Sequence, residues 1–243
     1  MIQWVYERAA SSLATEVLIA TDDLLIVSAA HSFGAETVMT ASTHSSGTDR
    51  IAEVARLRRW PTDDIVVNVQ GDEPMIPPAL IDQAAAVLEA NPRADIATLA
   101  TPILTLQEFL DPNAVKVVTD TQGRALYFSR APIPWNRDAA PEGIARPRSP
   151  ARSVPEGPAP AGPLATALFA GSRRHVGIYA YRVGALLRMA ALAPTALELR
   201  EKLEQLRALE NGLEIRVAET FERPGPDVNT AADFERVGAL LGD

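Results

Sequence analysis

The chain has 243 residues, 47% of them hydrophobic, with a formal net charge of −8 and no cysteine. That length can bury one sizeable core, the lack of cysteine excludes disulfides, thiolate zinc sites and thiol catalysis, and an acidic chain without a basic stripe is not a nucleic-acid binder. No apolar run approaches the roughly 18 residues that span a bilayer, and no basic-plus-apolar leader opens the chain, so a cytoplasmic protein with no membrane partner is expected.

Helical periodicity begins at once, over residues 2–13. A buried strand over 16–20 follows and ends at Thr21-Asp22-Asp23. His44-Ser45-Ser46-Gly47-Thr48-Asp49-Arg50 then leads into a helix over 48–59. Small hydroxyl residues and a glycine at a helix N-terminus expose backbone N–H groups that suit an anion or a base edge; they serve equally well as plain caps. The β-branched strand 65–69 breaks at Gln70-Gly71-Asp72-Glu73-Pro74. In open α/β sheets, ligands bind outside the carboxyl ends of the strands. A carboxylate fixed there is placed to hold Mg²⁺, which takes hard oxygen ligands and keeps part of its shell for substrate phosphates. The plainer alternative is an Asp that does only turn chemistry.

A helix over 77–90 and strands over 95–100, 114–119 and 125–129 come next. Arg130 ends the last of these and has the fork to pair bidentately with a carboxylate or phosphate; a surface arginine is the other reading. Between Pro141 and Pro163 lie seven of the chain's nineteen prolines, so residues 137–173 read as a disordered surface insertion. The strand 175–181 alternates, which puts His175, Gly177, Tyr179 and Tyr181 on one face. A helix over 195–210 opens on a Thr195/Glu198 capping box and stops at Asn211-Gly212. A strand over 213–219 precedes Asp227-Val228-Asn229-Thr230 and a last helix over 230–241. The alternation predicts an α/β fold with a doubly wound, mainly parallel sheet in a single domain. Phosphate-loop, dinucleotide-binding and nucleophile-elbow motifs are all absent from the sequence.

Taken in order, Ala20-Thr21-Asp22-Asp23, Ser46-Gly47-Thr48-Asp49-Arg50, Val67-Asn68-Val69-Gln70-Gly71-Asp72-Glu73-Pro74, Pro112-Asn113-Ala114-Val115-Lys116, Leu126-Tyr127-Phe128-Ser129-Arg130, Arg174-His175-Val176-Gly177-Ile178-Tyr179 and Leu203-Glu204-Gln205-Leu206-Arg207 resemble the 3-deoxy-manno-octulosonate (KDO) cytidylyltransferase family. The resemblance covers nearly the whole chain outside the insertion. It implies a nucleotide-diphospho-sugar transferase-like sheet with a small β-rich dimerisation portion, and transfer of CMP from CTP to KDO with Mg²⁺, in a homodimer that feeds lipopolysaccharide assembly. By the same resemblance Asp72 would be a catalytic metal ligand, with Arg130 also catalytic. Arg50, Gln70, Arg130, His175, Tyr179, Glu204 and Gln205 would line the sugar pocket, and Ser46, Gly47, Thr48 and Gln70 would meet the nucleotide. Asn229 stands where the family usually has a metal-binding Asp, and Asp227, two residues earlier in an extended segment, is placed to compensate. The family's first strand and its triphosphate-holding loop have no counterpart here, for which a start codon upstream of Met1 is the expected reason. Two alternatives stay open: a cytidylyltransferase for another sugar acid, such as an 8-amino form of KDO, and an inactive remnant.

Overall fold

The computed structural model describes all residues except 45, 138–166, 227, 229 and 243. In chain order the elements are α1 (Ile2–Ala10), β1 (Leu18–Thr21), α2 (Leu24–Ser32), β2 (Glu36–Met39), α3 (Gly47–Arg58), β3 (Ile65–Asn68), α4 (Pro78–Glu89), β4 (Ile96–Pro102), α5 (Leu106–Leu110), β5 (Lys116–Thr119), β6 (Ala125–Ser129), β7 (Arg173–Arg182), α6 (Val183–Ala190), α7 (Ala196–Glu201), α8 (Gln205–Glu210), β8 (Ile215–Glu219) and α9 (Ala231–Leu241).

The α/β class is the one the alternation implies. In the larger sheet β7 runs antiparallel to β3, β4 and β5, β4 pairs in parallel with β8, and β5 pairs antiparallel with β6. Strands β3, β4, β5 and β8 therefore share one direction. β1 and β2 form a separate parallel pair. Strand β4 is buried along all but its last residue, as expected of a strand covered on both faces. Its Ile96 and Ala100 face a core built with α3, α6 and α8 (Ala52, Leu186 and Leu206). Its Ala97 and Leu99 face α4 through Leu80, Ala84 and Leu88. Helices on both faces make the sheet doubly wound.

Several elements differ from the sequence reading. The predicted helix over 195–210 is two helices, because Lys202 adopts the left-handed conformation (φ 55°) that ends α7. Helices α2, α5 and α6 and strand β2 are additional. The insertion boundary is corrected: residues 167–173 do not belong to a disordered segment. Leu168 and Phe169 are buried against Ile103 and Phe109, and Arg173 already pairs in β7. Two large apolar side chains with a pocket to enter offset the cost of ordering these residues. Residues 138–166 lie outside the described residues.

Candidate active site

Among the described strands, β1 pairs with β2 and β3 with β7, and neither pairs with the other. Between them lies a cleft of 1330 Å³. Leu18, Ile19 and Ala20 of β1, Val66 and Val67 of β3, and Ile2 and Tyr6 of α1 give it apolar walls. Its polar lining includes residues from four separate parts of the chain: Gly47, Thr48 and Arg50 of α3, Gln70 and Asp72 beyond β3, Tyr179 and Tyr181 of β7, and Glu204 and Gln205 at the start of α8. Eight of the residues singled out from the sequence thus converge on one cavity: Gly47, Thr48, Arg50, Gln70, Asp72, Tyr179, Glu204 and Gln205.

Helix α3 begins here because Ser46 caps it, its Oγ accepting the Asp49 N–H at 3.1 Å. The same hydroxyl donates to Glu204 Oε1 at 2.9 Å, and Thr48 Oγ1 donates to Glu204 Oε2 at 2.9 Å. Glu204 therefore ties the start of α8 to the N-terminus of α3. Burial raises the pKa of its carboxyl above the ordinary range, against the pull of these two hydroxyls and of Arg207. Arg50 is not a free cation: its guanidinium donates to Thr40 Oγ1 at 2.6 Å and pairs with Asp22 Oδ1 at 3.1 Å.

Gln70 Nε2 donates to the Gly177 carbonyl at 3.1 Å. A β-carbon on residue 177 would stand 2.9 Å from that nitrogen, so this approach requires glycine. Val228 N–H donates to the Asp72 carbonyl at 2.9 Å. The side chains of Asp227 and Asn229 lie outside the described residues, and among the described residues no group of three or more His, Cys, Asp or Glu gathers as a metal site.

Opposite β4, Thr98 partners Tyr179 and Leu99 partners Val176, so Gly177 and Ile178 bulge out of β7. The Thr98 hydroxyl sits in the bulge, 2.7 Å from the Ile178 carbonyl, 3.1 Å from that of Val176 and 2.9 Å from His175 Nε2. A hydroxyl has one proton to donate. Donated to a carbonyl, it leaves the oxygen to accept from a protonated Nε2. The bulge also shortens the strand, so the His175 and Tyr179 rings lie 5.2 Å apart. Phe128 meets His175 edge-on and Tyr181 stacks on Tyr179, which makes a four-ring ladder along the face that alternation predicts. Burial, then the nearby Arg174 charge, pushes His175 down to about 3, so its ring is neutral. Burial likewise raises the Tyr179 and Tyr181 hydroxyls, which stay protonated donors.

Arg130 and His175 are not part of the cleft lining. Arg130 acts as a clamp: its Nε donates to the Glu201 carbonyl at 2.6 Å and a terminal nitrogen to the Pro112 carbonyl at 2.9 Å. The Glu201 carboxylate in turn accepts from Ser129 Oγ at 2.8 Å and from the Arg130 N–H at 3.0 Å. Burial alone would raise the pKa of Glu201; these hydrogen bonds outweigh it and hold the carboxyl below its ordinary range. Fully buried Lys116 donates to the Asp111 carbonyl at 2.7 Å, and burial lowers its pKa. The sequence reading assigned no role to Glu201, Lys116 or Tyr181. Lys116 carries a usable signal, a lysine inside an apolar strand, since a buried charge needs partners. Glu201 carries none, because its neighbours are assembled only by the fold.

The chain matches the Cytidylyltransferase family over residues 1–215. The 3-deoxy-manno-octulosonate cytidylyltransferase of Cellvibrio japonicus is 52% identical over 242 residues, 99% of this chain and 88% of the relative. That of Thioalkalivibrio sulfidiphilus is 48% identical over 241 residues, again 99% and 88%. A solved CMP:2-keto-3-deoxy-manno-octonic acid synthetase complexed with CTP superposes with a TM-score of 0.79 at 37% identity, covering 99% of this chain and 86% of that one. A 4-diphosphocytidyl-2C-methyl-D-erythritol synthase shares the fold at a TM-score of 0.52 and 12% identity. A cleft assembled from the α3 N-terminus, the β3 turn, the β7 tyrosines and the start of α8, with these relatives over nearly its full length, places the chain in the cytidylyltransferase family.

Proposed function

We propose that this chain transfers CMP from CTP to the anomeric hydroxyl of KDO, giving CMP-KDO and pyrophosphate, and so supplies lipopolysaccharide assembly. The observation that carries this reading is identity of about one half, over 99% of the chain, to enzymes named for that reaction. The cleft is consistent with it. The capped start of α3 offers backbone N–H groups and small hydroxyls to a nucleotide. Gln70, Tyr179, Glu204 and Gln205 offer the mixed donors and acceptors that a polyhydroxy acid needs.

In the reaction the sugar's anomeric oxygen bonds to the α-phosphorus while the bond to the β-phosphate bridging oxygen breaks. Pyrophosphate leaves with the electron pair, and the hydroxyl proton is released. The protein's part is to position both substrates and to exclude water from the cleft. Tyr179 and Tyr181, their hydroxyls kept protonated by burial, act as fixed hydrogen-bonding groups in the cleft and do not take the proton, while neutral His175 packs on Tyr179 outside the lining. Mg²⁺ belongs to the same proposal. Asp72 offers a hard oxygen ligand beyond the end of a strand, Val228 bonds to its carbonyl, and Asp227 and Asn229, the sequence neighbours of Val228, carry oxygen donors of the kind this ion takes. When bound, it would neutralise phosphate charge and lower the pKa of the attacking hydroxyl.

A homodimer in the cytoplasm completes the reading; no described helix is long and apolar enough to cross a membrane. The test is pyrophosphate release from CTP, KDO and Mg²⁺, on this chain and on one extended upstream of Met1, with 8-amino-KDO as the competing acceptor. Release that depends on KDO and on Mg²⁺ is expected. Release only with the amino sugar would move the substrate assignment, and none from either form with either sugar would overturn the proposal.

A further inference from the structure

Arg207 lies one turn beyond Glu204 on α8 and is only 5% exposed. Its Nε donates to Glu198 Oε2 at 2.9 Å and a terminal nitrogen to Glu198 Oε1 at 2.5 Å, a bidentate pair. The same terminal nitrogen stands 3.7 Å from Glu204 Oε1, the oxygen that accepts Ser46 Oγ. One buried guanidinium is thus shared by two carboxylates with different duties. Glu198 completes the capping box of α7, accepting the Thr195 N–H at 3.1 Å. Glu204 lines the cleft.

We propose that Arg207 is a positioning residue for the sugar-acid site: gripped by Glu198, it orients the Glu204 carboxylate toward the α3 N-terminus and sustains its charge. The proposal rests on the reading of the cleft given above. Around Glu204 stand Ser46, Thr48 and the like-charged Asp49 from α3, Tyr179 and Tyr181 from β7, and Arg207 from its own helix. Arg207 is the cation of that set. Desolvation and Asp49 both oppose ionisation of Glu204. Only the ionised form keeps both oxygens as acceptors for Ser46, Thr48 and a sugar hydroxyl at once. Glu198 competes for the same guanidinium, so the strength of the Glu204 contact is set by a residue of α7.

Two variants of the full chain separate this from a structural ion pair. In Glu198→Gln, the amide oxygen still accepts the Thr195 N–H and Arg207 is left to Glu204 alone. In the double variant Glu198→Gln/Arg207→Gln, the cation is gone as well. Both lose the Glu198–Arg207 pair, so a purely structural role moves Glu204 alike in both. The readout is a carbon NMR titration of the glutamate carboxyls, with the Glu204 signal identified by its loss in Glu204→Gln. The midpoint is expected to fall by about one pH unit in the single variant and to rise by about one unit or more in the double. Shifts of the same sign, or no shift, overturn the proposal. Should the double variant fail to fold, Arg207→Lys carries the test: a compact ammonium held by Glu198 serves one carboxylate, and an unchanged Glu204 midpoint overturns the proposal. Calorimetry with KDO tests the underlying reading separately, because Glu204→Gln that binds KDO as tightly as the parent chain would remove Glu204 from the sugar site whatever its titration shows.

Discussion

Burial keeps His175 neutral, and a neutral buried histidine makes stability depend on pH. Its pKa is 6.5 in the unfolded reference and is pushed down to about 3 in the fold. Between those values the unfolded chain carries a proton that the folded chain does not, so unfolding takes up protons and stability rises with pH. The contribution is complete above the unfolded value and is lost as pH falls from 6.5 toward 3, at no more than about 1.4 kcal/mol per pH unit. His175→Asn retains a donor for Thr98 and has nothing to titrate. Urea unfolding at about pH 7.5 and about pH 5 should show the parent chain losing roughly 2 kcal/mol more than the variant. Equal losses would mean that the ring is already charged in the fold. At this scale the sequence is a partial guide. Period-two alternation puts His175 and Tyr179 on one face, but their ring contact depends on a bulge that only Gly177 hints at. For Arg130 the residue type is plain, while its partners, the carbonyls of Pro112 and Glu201, come from distant segments and are invisible before folding.

At the scale of the elements, the bulge in β7 joins packing to the site. Strand β4 supplies Thr98 to hold it, and Gly177 opens the space through which Gln70 reaches the β7 backbone. Gly177→Ala would put a methyl group 2.9 Å from Gln70 Nε2 and 3.3 Å from Glu73 Oε1. Both contacts are the far ends of flexible side chains, so the fold can yield and Gln70 must swing away. The expected result is a KM for the sugar acid raised about tenfold or more, from one lost hydrogen bond in the site, while the melting temperature moves by only a few degrees. A variant with normal KM would show that Gln70 does not need this anchor. Strand and helix positions were legible wherever periodicity was strong, as in β3, β6, α3 and α4. The break at Lys202 was not: the leucines continue at helical spacing through it, and only the tertiary fit of Leu203 and Leu206 into the core selects the left-handed turn.

At the scale of the whole molecule, the cleft divides the sheet. β1, α2 and β2 carry a small core of Ile19, Ala30 and Ala35 and share no strand ladder with the larger sheet. What joins the two parts is α1, through the Tyr6–Phe33 ring contact, and a set of side chains on α3: Arg50 to Asp22, Glu53 to the Ala41 N–H, and Arg58 to Glu16 and Glu36. Side-chain tethers are weaker and less cooperative than a backbone ladder, so this unit should open at lower free energy than β4 and β7. The alternating pattern announced an α/β sheet, but it does not report which neighbouring strands fail to pair, because pairing is decided across the cleft rather than along the chain. Hydrogen exchange on the chain and on Arg50→Ala makes the division measurable. Amides of β1 and β2 should exchange faster than those of β4 and β7 in the parent chain. Arg50→Ala should speed the first group a further three- to tenfold, roughly what one partly exposed ion pair contributes, and leave the second unchanged. Uniform acceleration across both groups would show one cooperative unit, and the tie from Arg50 on the cleft wall to Asp22 at the end of β1 would then belong to the global fold rather than to a separately opening unit.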